Sequence, residues 1–172
     1  MKEKEMRELL TLVGNGELDI EDALLALKNG PFKLSYLQDA TLDHHRQLRH
    51  GMCEVIYGES KTSDQILNIA EELSTNGETI LITRLDEDKI ESLQRRFPEG
   101  RANPAGRTYM LNAAQPKSPE SGESYVAIVS AGTSDLPVAE EAKEVCIASE
   151  VAFRDIHDIG VAGLHRLLDR LD

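Results

Sequence analysis

Apolar residues recur at helical spacing near the start of the chain. They stand at Leu9, Leu10, Leu12 and Val13, and again at Ile20, Ala23, Leu24 and Leu27, the pattern of two amphipathic helices. Gly14-Asn15-Gly16 stops the first helix and Asn29-Gly30-Pro31 the second, because glycine supplies the left-handed cap and proline cannot continue a helix. Asp19 is placed to cap the second helix. A hairpin this small cannot bury its own apolar face and is expected to dock elsewhere. Periodicity is lost over 32–50, which reads as irregular. It resumes with a strand at Glu54–Tyr57 and a helix at Asp64–Leu73, whose apolar set is Ile66, Leu67, Ile69, Ala70 and Leu73. A buried-type strand follows at Thr79–Thr83, then a helix from Glu87 to Phe97, then a strand at Arg107–Leu111. Strands alternating with helices predict parallel pairing through right-handed crossovers.

Residues 113–124 break the pattern with two prolines, small polar residues and no large apolar group, the composition of a linker. Tyr125–Val129 is a continuous apolar run, expected to be a strand buried on both faces. Ser130–Asp135 reads as a turn. Pro137 sits in the first turn of a helix whose expected face is Val138, Ala142, Val145 and Ser149. A second strand at Val151–Asp155 and a second helix from Gly160 to Leu171 complete the pattern. The fold class is therefore α/β. A small N-terminal α/β domain (1–112) is followed, past the linker, by the first half of a doubly wound, flavodoxin-like parallel sheet (125–172).

Composition narrows the function. The 172 residues carry 19 Lys and Arg against 31 Asp and Glu, a net charge of −12, which opposes general binding to nucleic acid. Aromatics are 4% and Trp is absent, so the core must be aliphatic. No run approaches the ~20 apolar residues that span a bilayer. Met1–Glu5 is charged rather than an apolar signal core. Cys53 and Cys146 lie far apart and suggest neither a disulfide framework nor a thiolate zinc site. A reducing cytoplasm is expected.

The richest chemistry lies in Ser130-Ala131-Gly132-Thr133-Ser134-Asp135. A small-residue turn between a buried strand and a helix leaves N–H groups free at the positive end of the helix dipole, where a phosphate binds. Thr133 and Ser134 would add hydroxyls, and Asp135 would cap the helix or hold a ribose hydroxyl. An ordinary capped turn has the same spacing. His44-His45-Arg46 with Arg49, His50 and Cys53 matches no common zinc spacing. It reads as an anion-contacting loop or as a solvated one. Gly58-Glu59-Ser60-Lys61-Thr62 ends like a phosphate loop, but Val55 and Ser60 stand where that motif needs glycine. Cys146 reads as a small core residue.

Three stretches carry a family resemblance. They are Asp43–Arg46 with Glu54–Glu59 and Lys61-Thr62, then Ala131–Ala142, then Asp158–Leu168. Together they resemble the nickel-pincer cofactor synthases of the LarB type, relatives of the purine-pathway aminoimidazole ribonucleotide carboxylases and mutases. The resemblance implies carboxylation of the pyridinium ring of nicotinic acid adenine dinucleotide by carbon dioxide or bicarbonate. Hydrolysis of the phosphoanhydride would accompany it. On this basis Ser134 and Asp135 are the expected catalytic residues, and Gly132, Thr133, Ser134, Asp135, Asp158 and Gly160 the substrate-binding set. No metal, no tightly bound cofactor, no nucleic acid and no membrane partner are expected, and the complete protein would be a homo-oligomer. Two departures stand out. The His-Arg pair of the purine enzymes is replaced by Asp158–Gly163, which disfavours their reaction. Neither Cys53 nor Cys146 matches the family's nucleophilic cysteine, so the chain is expected to lack the C-terminal part and to be incomplete for catalysis. The alternatives are a purine-type carboxylase or mutase and a non-catalytic nucleotide-binding fragment.

Overall fold

A computed structural model describes residues 3–29, 34–36, 41–43, 54–75, 77–120, 122–160 and 168. They group into two compact units, Met1–Glu54 and Val55–Asp172. In the first, α1 (Glu3–Gly14) and α2 (Ile20–Asn29) form the expected helical pair. Asp19 caps α2 by accepting the Glu21 N–H at 2.8 Å. Within 32–50, expected to be irregular, β1 (Leu34–Tyr36) pairs antiparallel with β2 (Thr41–Asp43). Strands of three residues are too short to show an alternating pattern. The expected loop at 44–53, with its histidines and Cys53, lies outside the described residues.

The second unit is built on a four-stranded sheet. It contains β3 (Glu54–Tyr57), β4 (Ile80–Thr83), β5 (Arg101–Asn103) and β6 (Thr108–Leu111), in the order β3-β4-β6-β5. Helix α3 (Ser63–Ser74) connects β3 to β4, and α4 (Glu87–Arg96) follows β4. Each helix starts where a side chain satisfies its free N–H groups. Thr62 and Gln65 form a reciprocal capping box on α3, so the stretch that faintly resembles a phosphate loop is a helix start. Asp86 accepts the Lys89 N–H at 3.0 Å on α4. All of β4 and β6 is buried, and Ile66, Ala70, Leu85 and Leu93 pack into the same aliphatic core.

Pairing in this sheet differs from the parallel expectation. β6 runs antiparallel to both β4 and β5, making the sheet mixed. The cause is β5, three residues long with Arg101 and Asn103 flanking one alanine. It turns through 104–107 to make a hairpin, closed by Asn103 Oδ1 accepting the Gly106 N–H at 3.1 Å. A polar edge strand carries no apolar signal.

Beyond residue 112, β7 (Val126–Val129), α5 (Leu136–Ala148) and β8 (Phe153–Ile156) form a β-α-β unit with the two strands parallel. Pairing runs from Val126 opposite Phe153 to Val129 opposite Ile156. The parallel pair agrees with the expected α/β class, but β7 is not buried on both faces: only Ile128 is, while Val126 and Val129 are exposed. The phase of α5 also differs. Val138 is 63% exposed, whereas Ala139 and Cys146 pack on Ile128 with Ala142 and Phe153 beside them. Glu144, Ile147 and Ala148 are buried too. The unit and the four-stranded sheet share one compact body, because α5 also lies against β4 and β6. The compact units divide at 54/55, and the chain is largely exposed over 113–124. That segment is held to β8 by the Phe153 N–H, which donates to Lys117 O at 3.3 Å. The expected final helix falls mostly on 161–172, of which only Leu168 is described.

Gly58 ends β3 where a Cβ would lie 2.8 Å from Thr83 O and from the Leu85 side chain. Gly132 has open space instead and an extended backbone. Gly58→Ala is therefore expected to cost about 1–3 kcal/mol in urea denaturation through overpacking. Gly132→Ala should stay within about 0.5 kcal/mol of the parent.

Candidate functional site

Strands β7 and β8 end side by side, and so do the turns that leave them. Ser130 donates its N–H to Ile156 O at 3.0 Å and accepts the Ile159 N–H at 3.2 Å. Gly160 approaches so closely that a Cβ would stand 3.1 Å from Ala131 O. The segments 130–135 and 157–160 are thus brought together at the carboxyl ends of two parallel strands, where α/β sheets bind ligands. Asp158 holds φ +58°, an uncommon conformation for a residue with a side chain.

The turn is not the open cradle of N–H groups that its composition suggests. Asp135 folds back, and its Oδ2 accepts the N–H groups of Ala131 at 3.1 Å and Gly132 at 3.0 Å. Two donors expected to face a phosphate are taken by a carboxylate four and three residues on. Thr133, Ser134 and Asp135 remain exposed, and Gly132 is half-buried. A carboxylate held by two backbone donors is a fixed acceptor. It suits a ligand hydroxyl, the second of the two roles expected for Asp135.

Behind the turn lies a polar chain that the motif search missed. Ser130 is buried, and its Oγ lies 2.8 Å from His157 Nδ1. His157 Nε2 lies 2.8 Å from Asp155 Oδ2, and Lys143 Nζ reaches the same oxygen at 2.9 Å. Lys143 also pairs with Glu140 at 2.8 Å. Asn103 Nδ2 donates to Glu140 Oε2 at 2.9 Å and to Glu144 Oε1 at 3.0 Å. Arg101 closes the series on Glu144 Oε2 at 2.5 Å. Side chains of α5, β5 and β8 thereby connect the hairpin edge to the turn. One signal was available: Phe153 and Asp155 alternate along β8, and His157, just past its end, continues the alternation.

Electrostatics follow from this packing. Burial works to raise the Glu140 pKa, but hydrogen bonds from Lys143 and Asn103 outweigh it and hold the carboxyl below its ordinary range. Burial works to lower Lys143, but its hydrogen bonds to Glu140 and Asp155 prevail and raise it. Glu140, Asp155 and His157 each bring a donor atom within 4.8 Å of the others. The Lys143 ammonium lies between the two carboxylates. Cys146 is buried and its thiol pKa is raised by that burial. A thiol that resists ionisation is a poor nucleophile, in keeping with its expected core role. A separate cleft of about 450 Å³ runs past Glu71, Arg96, Phe97 and Asn112. It contains none of the expected site residues, and Arg96 there is satisfied by Glu71 at 2.5 Å.

A mixed α/β body with two turns meeting at the ends of parallel strands defines the class: an α/β protein with a candidate site beside a helix start. The comparisons narrow it. A family described as the LarB/PurE-like N-terminal domain matches residues 34–114. A protein of Methanocaldococcus jannaschii described as uncharacterized is 30% identical over 177 residues, covering 98% of this chain and 66% of that protein. The chain therefore spans about two thirds of this relative's length. The match supports the LarB/PurE-like carboxylase and mutase family. The matched family domain ends at residue 114, and the compact unit continues past it. Among the described residues no helix is long and apolar enough to cross a membrane.

Glu140 has a pKa below its unfolded value of about 4.5. Its contacts therefore stabilise the fold above that pH and are lost as pH falls through the folded value. Glu140→Gln is expected to lower stability at pH 7 by about 0.5–1.5 kcal/mol and to flatten the loss below pH 4.5. Urea midpoints between pH 7 and 3 check this; parallel curves for parent and variant would count against it.

Proposed function

We propose that the chain acts in carboxylating the pyridinium ring of nicotinic acid adenine dinucleotide, with hydrolysis of the phosphoanhydride. The products would be AMP and pyridinium-3,5-biscarboxylic acid mononucleotide, a precursor of a nickel-pincer nucleotide. The observation that carries this reading is the LarB/PurE-like domain running directly into the β7–α5–β8 unit, whose turn holds Ala131–Asp135 beside Asp158–Gly160. In this reading Asp135 accepts a ribose hydroxyl, Thr133 and Ser134 donate to phosphate oxygens, and Gly132, Asp158 and Gly160 shape the walls. The chemistry would be cytoplasmic, without a tightly bound cofactor, in a homo-oligomer.

A second reading is favoured by one observation. Ring activation by a thiolate needs an ionisable thiol, and Cys146 is buried with a raised pKa. A nucleotide-binding role without turnover accommodates that directly. A purine-type carboxylase or mutase is less well supported, since Asp158–Gly163 replaces its His-Arg pair.

Calorimetry with nicotinic acid adenine dinucleotide tests the site. Ser134→Ala is expected to lose about 1.5–3 kcal/mol, the worth of a hydrogen bond to a charged group, or roughly tenfold or more in affinity. Cys146→Ser should bind like the parent. Unchanged affinity in Ser134→Ala would overturn the assignment of the turn. Mass spectrometry after adding bicarbonate then separates the readings. AMP release with ring carboxylation supports the synthase, and binding without AMP supports the second reading.

A further inference from the structure

Helices α1 and α2 are rich in exposed apolar side chains. Leu10, Ile20 and Leu24 are 57%, 63% and 42% exposed, and Leu12 and Leu25 are exposed as well. The short connection at 15–19 makes the two helices an antiparallel hairpin. Ala23 is buried, and Leu9, Val13 and Leu27 are half-buried, which marks the rows that meet inside the pair. Leu10 stands one position past Leu9, and Leu24 one position past Ala23. The same rotational offset on two antiparallel helices falls on the same side of the pair. Ile20 lies one turn before Leu24 in the same row. Leu10, Ile20 and Leu24 therefore share one apolar face, while Leu12 and Leu25 lie off it.

Charges of opposite sign bracket that face. At the open end of the hairpin, Lys28 continues the row of Ile20 and Leu24, and Arg7 stands one turn from Leu10; both are exposed. At the connecting turn stand Glu17 and Glu21, exposed as well. Lys4 and Glu8 pair with each other on the outer side of α1, and Asp19 is engaged as the cap of α2. From open end to turn the surface reads basic, apolar, acidic. Such a surface is complementary to itself about a twofold axis that sets the open end of one hairpin on the turn of the other. We propose that this side of the α1–α2 hairpin binds a second copy of the chain, antiparallel, as a four-helix contact. A partner of uniform charge would match one end of the face and repel the other. The hairpin carries none of the expected ligand residues, so this pairing stands apart from nucleotide binding.

Sedimentation equilibrium of the full chain, from about 1 to 100 µM, tests the pairing. A reversible self-association is expected. Leu24→Glu should raise its dissociation constant about tenfold or more, because a twofold contact loses the apolar group twice. Leu25→Glu removes an equally apolar and more exposed side chain off the face, and should leave association unchanged. Lys28→Glu and Glu21→Lys should each weaken it by about threefold or more, and the two changes together should restore it. The parent chain gives a second measurement that needs no variant. Isotope-filtered spectra of mixed labelled and unlabelled chains should show methyl contacts from Ile20 and Leu24 of one copy to Leu24 of the other. A monomer over the whole range, association that survives Leu24→Glu, equal weakening by Leu25→Glu, paired charge reversals that fail to restore it, or no such methyl contacts in the associated sample would each overturn the proposal.

Discussion

Helix α5 must satisfy two neighbours at once, and the arrangement of the second unit depends on it. On one side Ala139 and Cys146 pack against Ile128 of β7, with Phe153 of β8 beside them. On another, the helix lies against β4 and β6 and presents Glu140 and Glu144 to Asn103 and Arg101 of β5. The first contact is aliphatic and non-directional. The second is charged and specific in geometry, and Glu144 is only 4% exposed. A buried carboxylate is tolerable only with its hydrogen bonds made. The register of the helix on the hairpin is therefore constrained by these bonds, and with it the place of the turn that precedes the helix.

The same constraint gives the site its character. A helix start alone would favour an anion, but Asp135 spends two N–H groups on itself. The polar chain behind it brings further carboxylates close to His157. What remains at the surface is a fixed acceptor and exposed hydroxyls. The nucleotide ligand proposed above carries hydroxyl groups that such a surface at the ends of β7 and β8 could accept.

Much of the fold was legible in the sequence because its long elements are periodic. Helices α1 to α4 and the buried strands β4 and β6 follow from apolar spacing and from stops and caps such as Gly14-Asn15-Gly16 and Asp19. Short polar strands were not legible: β5 is Arg-Ala-Asn, and β1 and β2 have three residues each. Strand direction was missed with β5, because an unseen hairpin reverses the strand that follows. The phase of α5 was misread because it buries Glu144 and exposes Val138, the reverse of a simple apolar face. At the site, the turn was legible from its small residues. The capture of its N–H groups by Asp135 was not, since an aspartate at that position is equally compatible with a free cradle. His157 became visible as a site residue only once β8 had placed it opposite Ser130.

Amide hydrogen exchange with and without nicotinic acid adenine dinucleotide tests most directly whether the ends of β7 and β8 form the ligand site. Added nucleotide should slow exchange in peptides covering 130–136 and 156–160 and leave the sheet edge at 101–103 unchanged. Slowing confined to 71–112, around the separate cleft, would contradict the assignment.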